Sequence, residues 1–190
     1  IRNLIDPLLA RKSQVLVAID GSCTSGKTTV GELLRQHYGC TLFHMDDFFL
    51  RPEQRTQQRL AQVGGNVDYE RFQEEVLLPL RAGAPFFYRP YDCGTCQLSA
   101  PVAVQPGRLF VIEGSYSLHP FFGDPYDLKL VLTVSEQDQR ERIMQRPTHL
   151  QQRLFREWIP MDNGYVKQLC REAEARNIGV LLRFFTQGGF

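Results

Sequence analysis

The chain has 190 residues, of which 43% are hydrophobic and 23% are charged. These proportions are ordinary for a globular domain, and they exclude a disordered tail, a fibrous repeat and a disulfide scaffold. The 22 basic and 21 acidic side chains leave a net charge of +1, so we expect neither nucleic acid nor a membrane as a partner. No apolar run approaches the ~20 residues that a membrane helix needs. The odd count of five cysteines favours a reducing compartment, and we expect a cytoplasmic protein.

The first 45 residues alternate between helical and strand patterns. Apolar residues at positions 1, 4, 5, 8 and 9 have the spacing of an amphipathic helix. Because proline fits only the first turn of a helix, Pro7 predicts that this helix begins at Asp6. The apolar run at 15–19 predicts a strand buried on both faces. A glycine-rich turn then leads into a helix over 27–37, which Gly39 ends, and residues 41–45 predict a second strand.

The rest of the chain continues this alternation, which predicts an α/β fold with a mainly parallel sheet in a single domain, 1–190. Pro147 and Pro160 are expected to break the helices that precede them. The predicted elements are a polar functional loop at 46–66, a helix at 68–80, a β-hairpin flap at 85–104, strands at 108–113 and 127–134, helices at 136–146, 150–158 and 165–176, and a last strand at 178–182.

One motif carries the chemistry of the chain. Residues 21–28, Gly-Ser-Cys-Thr-Ser-Gly-Lys-Thr, satisfy the phosphate-loop pattern G-x-x-x-x-G-K-[ST] between a buried strand and a helix. Backbone N–H groups in such a loop point inward at a phosphate, Lys27 reaches the β- and γ-phosphates, and the Thr28 hydroxyl binds Mg²⁺. The predicted nucleotide-binding residues of this segment are Gly21, Ser22, Cys23, Thr24, Ser25, Gly26, Lys27, Thr28 and Thr29.

Acidic residues follow two of the predicted strands, at the sheet edge where such folds bind ligands. Glu113 is the candidate second ligand of the Mg²⁺, although an acid there could instead cap the next helix. Asp46 and Asp47 follow the second strand, and adjacent acids cannot both point at one atom. We take Asp46 as the base that accepts a hydroxyl proton and give Asp47 a supporting role. The alternative is that both are solvated loop residues.

These segments together resemble the uridine kinase and phosphoribulokinase family of P-loop kinases, in particular its bacterial uridine kinase-like branch. The matching segments are the phosphate loop, Phe-His-Met-Asp-Asp-Phe-Phe at 43–49, Asn-Val-Asp at 66–68 and Val-Ile-Glu-Gly at 111–114. The resemblance extends from about residue 15 to residue 165. It implies a three-layer P-loop NTPase-type fold with a hairpin flap at about 85–104 and a helical lid at about 140–158.

The resemblance also implies roles for individual residues. Asp46 matches the family's base, and Asp68 matches an aspartate that binds ribose hydroxyls, although it could simply cap the helix at 68–80. The hairpin offers Tyr88, Arg89 and Tyr91 to the acceptor, without the family's usual histidine. Arginines of the lid close over the phosphates in family members, and their candidates here are Arg142 and Arg146. Either could equally be part of a solvated helix face.

The expected function is an ATP- and Mg²⁺-dependent kinase that phosphorylates the 5′-hydroxyl of a ribonucleoside, most simply uridine or cytidine. Two alternatives remain open: a kinase of nicotinamide riboside or another small hydroxyl compound, and a regulatory protein that binds ATP without phosphoryl transfer. Cys93 and Cys96 have the spacing of half a zinc site or a redox pair, against a default interpretation as a hairpin turn. The pairs Phe121-Phe122 and Phe184-Phe185 are core or interface residues, so a homo-oligomer is one of the possibilities.

Overall fold

Parallel strands form the central sheet of the computed structural model, which describes residues 1–176 and 180–183. The strands are β1 (Val15–Gly21), β2 (Thr41–His44), β3 (Phe86–Tyr88), β4 (Tyr91–Asp92), β5 (Gln97–Leu98), β6 (Val102–Val104), β7 (Leu109–Glu113), β8 (Leu128–Thr133) and β9 (Val180–Arg183). The helices are α1 (Arg2–Arg11), α2 (Lys27–Tyr38), α3 (Gln57–Leu60), α4 (Tyr69–Phe72), α5 (Leu78–Ala82), α6 (Glu136–Met144), α7 (Thr148–Arg153) and α8 (Ile159–Arg176). The sheet order is β2-β7-β1-β8-β9, and every pairing in it is parallel.

Strand β1 shows why its sequence is almost wholly apolar. Leu16 and Ala18 face a core cluster that includes residues of α4, α5 and α8. Val15, Val17 and Ile19 face the opposite cluster, with residues of α1 and α2. A strand covered by helices on both faces needs apolar side chains at successive positions, not at alternate ones. The α/β prediction with a mainly parallel sheet is therefore confirmed, and the layers are helix, sheet and helix.

The first helix does not begin where Pro7 predicts. Helix α1 begins at Arg2 and contains Pro7 in its interior, so the predicted start at Asp6 is wrong. Proline there removes one backbone hydrogen bond and costs about 3 kcal/mol in a helix interior. Ile5 is fully buried, and Leu4 and Leu8 pack against the same core. Each well-buried side chain contributes roughly 1.5–3 kcal/mol, so packing offsets the loss.

Two prolines lie within long helical segments because a widened turn precedes each of them. A π-helical turn at Gln73–Leu77 joins α4 to α5 just before Pro79, and another at Leu154–Trp158 joins α7 to α8 just before Pro160. Pro160 therefore does not end its helix, contrary to the sequence-based expectation. A π turn loosens the ordinary hydrogen-bond ladder, which gives room for a residue that has no N–H and crowds the preceding turn. Pro147 does lie between two helices, as predicted.

The segment at 85–104 is the predicted hairpin. Strands β3 and β6 pair antiparallel, as do β4 and β5, and the tip carries Cys93 and Cys96 as exposed free thiols. Within the described residues no group of three or more His, Cys, Asp or Glu side chains is arranged to hold a metal ion. The default interpretation as a hairpin turn therefore fits the structure best.

The remaining sequence expectations concern surfaces. Phe122 is buried while Phe121 is 45% exposed, and Phe184 and Phe185 lie outside the described residues. Across residues 1–176 and 180–183, no helix combines the length and the apolar character that crossing a membrane requires. The predicted loop at 46–66 is folded into short helical turns, and an antiparallel bridge joins Phe49 to Val67 at its ends.

Candidate active site

A cavity of about 630 Å³ lies between the phosphate loop (residues 21–28) and helix α6, the π turn at Leu154–Trp158 and the start of α8. These helical segments extend the predicted lid at 140–158 as far as Asp162, and together they are called the lid. The cavity adjoins the carboxyl ends of strands β1, β2 and β7, where parallel sheets of this kind bind their ligands. The cavity is lined by Cys23, Thr24, Ser25, Gly26, Lys27, Thr28, Thr29, Asp46, Phe49, Asn66, Val67, Glu113, Gly114, Ser115, Tyr116, Arg142, Gln145, Arg146, Leu154, Trp158, Met161 and Asp162. Most of the predicted nucleotide-binding residues are thus brought together with Asp46 and Glu113.

The backbone of the phosphate loop requires glycine at two positions. Gly21 has φ +132° and Gly26 has φ +95°, both in the region that L-amino acids with side chains rarely adopt. A Cβ atom on Gly21 would lie 1.9 Å from the carbonyl oxygen of Leu132, so any larger residue would displace the neighbouring strand β8. Thr24 also has a positive φ, of 61°. The loop is therefore held in a wrapped conformation that turns its N–H groups inward.

Several polar groups of the loop suit an anion. The side-chain oxygens of Thr24 and Ser25 are buried without a hydrogen-bond partner, and phosphate oxygens would supply one. Lys27 is 8% exposed, and its ammonium group donates to the carbonyl oxygens of Gly21 and Ser22, at 2.9 Å each. A lysine held against its own loop in this way is positioned to bind the phosphates of a nucleotide.

Thr28 and Glu113 bring a hydroxyl oxygen and a carboxylate oxygen together beside the phosphate loop. The Thr28 hydroxyl donates to Glu113 Oε1 at 3.1 Å, across 85 residues of sequence. His44 Nδ1 lies 2.6 Å from the same oxygen, and this hydrogen bond raises the pKa of His44. A hydroxyl and a carboxylate beside a phosphate loop fit Mg²⁺, which prefers oxygen ligands and shares them with substrate phosphates. Glu113 makes these contacts instead of capping a helix.

The two adjacent aspartates have different surroundings, as expected. Asp46 lines the cavity, and burial, followed by the negative charge of Glu113, raises its pKa. The side chain remains accessible to solvent through the cavity, so it can reach a ligand there. Asp47 does not line the cavity; its carboxylate accepts a hydrogen bond from the Tyr88 hydroxyl. This placement favours Asp46 over Asp47 as the base.

Asp68 lies outside the cavity lining and caps a helix. It is 2% exposed, and its Oδ1 accepts from the backbone N–H of Arg71 at the start of α4. Its Oδ2 accepts from Gln54 Nε2 at 2.9 Å and lies 3.6 Å from Arg71 Nε. Because both carboxylate oxygens already have partners, these contacts support the capping role more than the ribose-binding role.

The three hairpin residues that the resemblance assigns to the acceptor also have structural partners. Tyr88 is 8% exposed and packs against Phe43, with its hydroxyl bonded to Asp47. Arg89 donates to the carbonyl oxygens of Leu98 and Ser99 across the hairpin. The Tyr91 hydroxyl accepts from Arg55 at 2.8 Å. The structure therefore places Tyr88, Arg89 and Tyr91 as braces of the hairpin, outside the cavity lining, and their role toward an acceptor stays a prediction.

The lid is attached to the phosphate loop through its first helix. Arg142 donates to the carbonyl oxygen of Thr24 at 2.7 Å, and Gln139 donates to that of Cys23 at 3.0 Å. Arg146 lines the cavity one turn further along the chain. The predicted lid arginines Arg142 and Arg146 thus lie where a guanidinium could bind phosphate oxygens.

Two buried carboxylates were missed by the sequence analysis. Asp20 is fully buried and accepts from the backbone N–H groups of Gly21, Tyr116 and Leu118 and from the Tyr165 hydroxyl. It thereby ties the phosphate loop to the chain after β7 and to helix α8. Asp162 lines the cavity from α8 and accepts a hydrogen bond from Tyr116. Asp20 could have been found from the sequence, because it is an acidic residue at the end of an apolar strand, directly before the phosphate loop. Asp162 lies among other polar residues of a helix, so no sequence pattern distinguishes it.

Replacing Asp68 by alanine should mainly cost stability. The lost helix cap is worth about 1 kcal/mol, and a hydrogen bond to a charged group about 1.5–3 kcal/mol, so we expect a loss of about 2.5–4 kcal/mol in the free energy of unfolding. Denaturant titration measures it. Ser135→Ala, which removes the exposed cap of α6, is the matched control and should cost about 1 kcal/mol. A large rise in acceptor KM at unchanged stability would restore the ribose-binding assignment.

A phosphate loop that follows the first strand of a parallel sheet covered by helices on both faces defines the P-loop NTPase-type fold, and the described chain has that fold. Comparison with solved structures agrees. The chain superposes on a possible uridine kinase from Bacillus stearothermophilus with a TM-score of 0.65 and 20% identity, over 97% of this chain and 98% of the other. A protein assigned as a possible fructose transport system kinase from Silicibacter sp. TM1040 gives 0.63 and 20%, over 97% and 96%.

A more distant neighbour has the same fold. The D-glycerate 3-kinase from Cryptococcus neoformans superposes with a TM-score of 0.54 and 13% identity, over 84% of each chain. No protein-family model matches the sequence, and no curated protein matches it. At these levels of identity the similarity shows a shared fold, and it does not show which reaction this protein catalyses.

Proposed function

We propose that the protein is an ATP- and Mg²⁺-dependent kinase that transfers the γ-phosphoryl group to the primary hydroxyl of a small metabolite. The observation that carries this proposal is the position of Asp46. It lies in one cavity with the phosphate loop and with the Thr28 and Glu113 pair. A protein that only binds and senses ATP needs no base beside the phosphates, so Asp46 favours phosphoryl transfer over a regulatory function.

Each group in the cavity has a defined task in this reaction. The loop N–H groups and Lys27 bind the phosphates of ATP and stabilise the negative charge that develops during transfer. Thr28 and Glu113 would hold the Mg²⁺, whose charge neutralises the phosphate oxygens. Asp46 orients the acceptor hydroxyl and accepts its proton as the oxygen attacks phosphorus. Desolvation within the cavity, followed by the negative charge of Glu113, raises the pKa of Asp46, which makes it a stronger base than an aspartate in free solution.

The lid supplies the remaining positive charge. Arg142 already contacts the phosphate loop, and Arg146 lines the same cavity. Arginine remains charged at any pH of interest and binds two phosphate oxygens at once. When ATP occupies the loop, these side chains would close the cavity over it and exclude water, which would otherwise compete with the acceptor as nucleophile.

Within this class we propose a ribonucleoside, uridine or cytidine, as the acceptor. The sequence resemblance to uridine kinases supports it, as does the aromatic wall of the cavity. Phe49 and Trp158 lie with their rings 6.3 Å apart and inclined by 28°, and a flat base can stack on such rings. Nicotinamide riboside also has a flat ring and a 5′-hydroxyl, so it is the second candidate.

A measurement of ADP release tests this proposal. The purified protein is incubated with MgATP and, separately, uridine, cytidine, nicotinamide riboside and pantothenate. We expect ADP release to rise at least tenfold with one of the nucleosides and the phosphorylated product to appear in equal amount. Binding of ATP without acceptor-stimulated ADP release across this panel would instead support the regulatory alternative.

A further inference from the structure

One carboxylate enters the cavity from the lid, at the start of helix α8. The lid contributes Leu154, Trp158, Met161 and Asp162 to the cavity lining. Their spacing of four, three and one residues places them on one face of the continuous helical segment that includes the π turn. Three of the four are large and apolar, which makes Asp162 the charged group of this face.

The surroundings of Asp162 do not account for its burial. The carboxylate is 6% exposed, accepts a hydrogen bond from the Tyr116 hydroxyl and is attracted by the positive charge of Lys27. Burying an ionised carboxylate costs several kcal/mol, and these two favourable interactions offset only part of that. Burial accordingly raises the pKa of Asp162. A carboxylate kept at this cost inside a ligand cavity indicates a functional role.

We propose that Asp162 is a substrate-binding residue that accepts hydrogen bonds from hydroxyl groups of an acceptor that carries no negative charge. This assignment rests on the proposed kinase function, and it gives to the lid helix the task that the sequence resemblance gives to Asp68. The acceptor would lie between Asp46, which takes the proton of the reacting hydroxyl, and Asp162, which holds its other hydroxyls.

The distribution of charge in the cavity supports an acceptor over a phosphate as the ligand of Asp162. Lys27, Arg142 and Arg146 form the positive side at the phosphate loop. Asp46 and Asp162 are negatively charged carboxylates in the lining of the same cavity. Two carboxylates repel an anionic acceptor but attract hydroxyl groups, which can donate hydrogen bonds to them.

The test compares wild type with Asp162→Asn in acceptor titrations at saturating MgATP, with uridine, cytidine and nicotinamide riboside as acceptors. Asparagine keeps the shape and still accepts from Tyr116, so the variant should fold. Hydrogen bonds to a charged acceptor are about twice as strong as neutral ones, so we expect acceptor KM to rise about tenfold. The Kd for ATP should stay within about twofold. Glu172→Gln, on an exposed part of α8, is the matched control and should change neither constant.

The other outcomes overturn the assignment in distinguishable ways. An unchanged acceptor KM in an acceptor-stimulated enzyme refutes the role of Asp162 and leaves the kinase proposal standing. Weaker ATP binding together with a lower melting temperature means that Asp162 acts through the position of the lid, and it also refutes substrate binding. Absence of acceptor stimulation in the wild type refutes the kinase proposal itself and, with it, an acceptor-binding Asp162.

Discussion

Replacing Lys27 by alanine should lower turnover by at least ~10²-fold while the protein remains folded. The ammonium group lies against the carbonyl oxygens of Gly21 and Ser22, where it would meet the phosphates and the negative charge that builds up during transfer. Loss of a single group that stabilises such charge costs about 10²- to 10³-fold in turnover. Steady-state ADP release at saturating acceptor measures the effect, and circular dichroism checks the fold.

The control for this variant is Lys12→Ala. Lys12 is a 52% exposed side chain paired with Asp127, remote from the cavity lining, so its removal changes the net charge equally without touching the phosphate loop. We expect turnover within twofold of wild type. If the Lys27 variant were folded and nearly as active as Lys12→Ala, the phosphate loop would not be the donor site.

Asp46→Asn should lower kcat by roughly 10²- to 10⁴-fold, the range for removal of a general base, and leave ATP binding little changed. The amide keeps the size of the carboxylate but cannot take a proton. Asp47→Asn is the adjacent control: its side chain contacts Tyr88 outside the cavity lining, so we expect a loss of stability with kcat within about threefold. If the large loss of kcat followed Asp47→Asn instead, the choice between the two acids would be wrong.

The pH profile provides a second test of Asp46. Burial, and then the charge of Glu113, raise its pKa above the ordinary value of 3.8. A base works only when deprotonated, so activity should fall as the pH drops through this raised pKa, at a higher pH than for an aspartate with the ordinary pKa. Asp46→Asn should remove that acidic limb from its residual activity. Persistence of the same limb in the variant would assign the titration to another group.

Local patterns predicted most of the elements because their causes are local. A β-branched apolar run, a serine cap or a glycine in the left-handed region acts over a few residues, as at Ser135 and Gly39. The two errors came from prolines. Pro7 and Pro160 lie inside helices because core packing and a π turn compensate for the missing N–H, and neither compensation can be read from the neighbouring residues.

The residues of the candidate site also fall into those that the sequence could place and those that it could not. The phosphate loop, Asp46 and Glu113 follow strand ends, and the rule that parallel strands present their carboxyl ends at one edge is enough to bring them together. No comparable rule predicts where the side chains of the hairpin residues and of Asp68 lie. Their side chains could point into the cavity or into the fold, and the hydrogen bonds of Asp68 to Arg71 and Gln54 are made inside the fold.

The sequence by itself determined the class of fold and the position of the phosphate loop, because a glycine-rich segment between a buried strand and a helix turns its N–H groups toward a common centre. The tertiary structure decided which polar side chains line the cavity beyond that loop. Asp162 is separated from Lys27 by 135 positions, and Thr28 from Glu113 by 85. Their meeting depends on how helix α8 and strand β7 pack against the sheet. That packing is set by burial of apolar surface across the whole domain, which no local pattern contains.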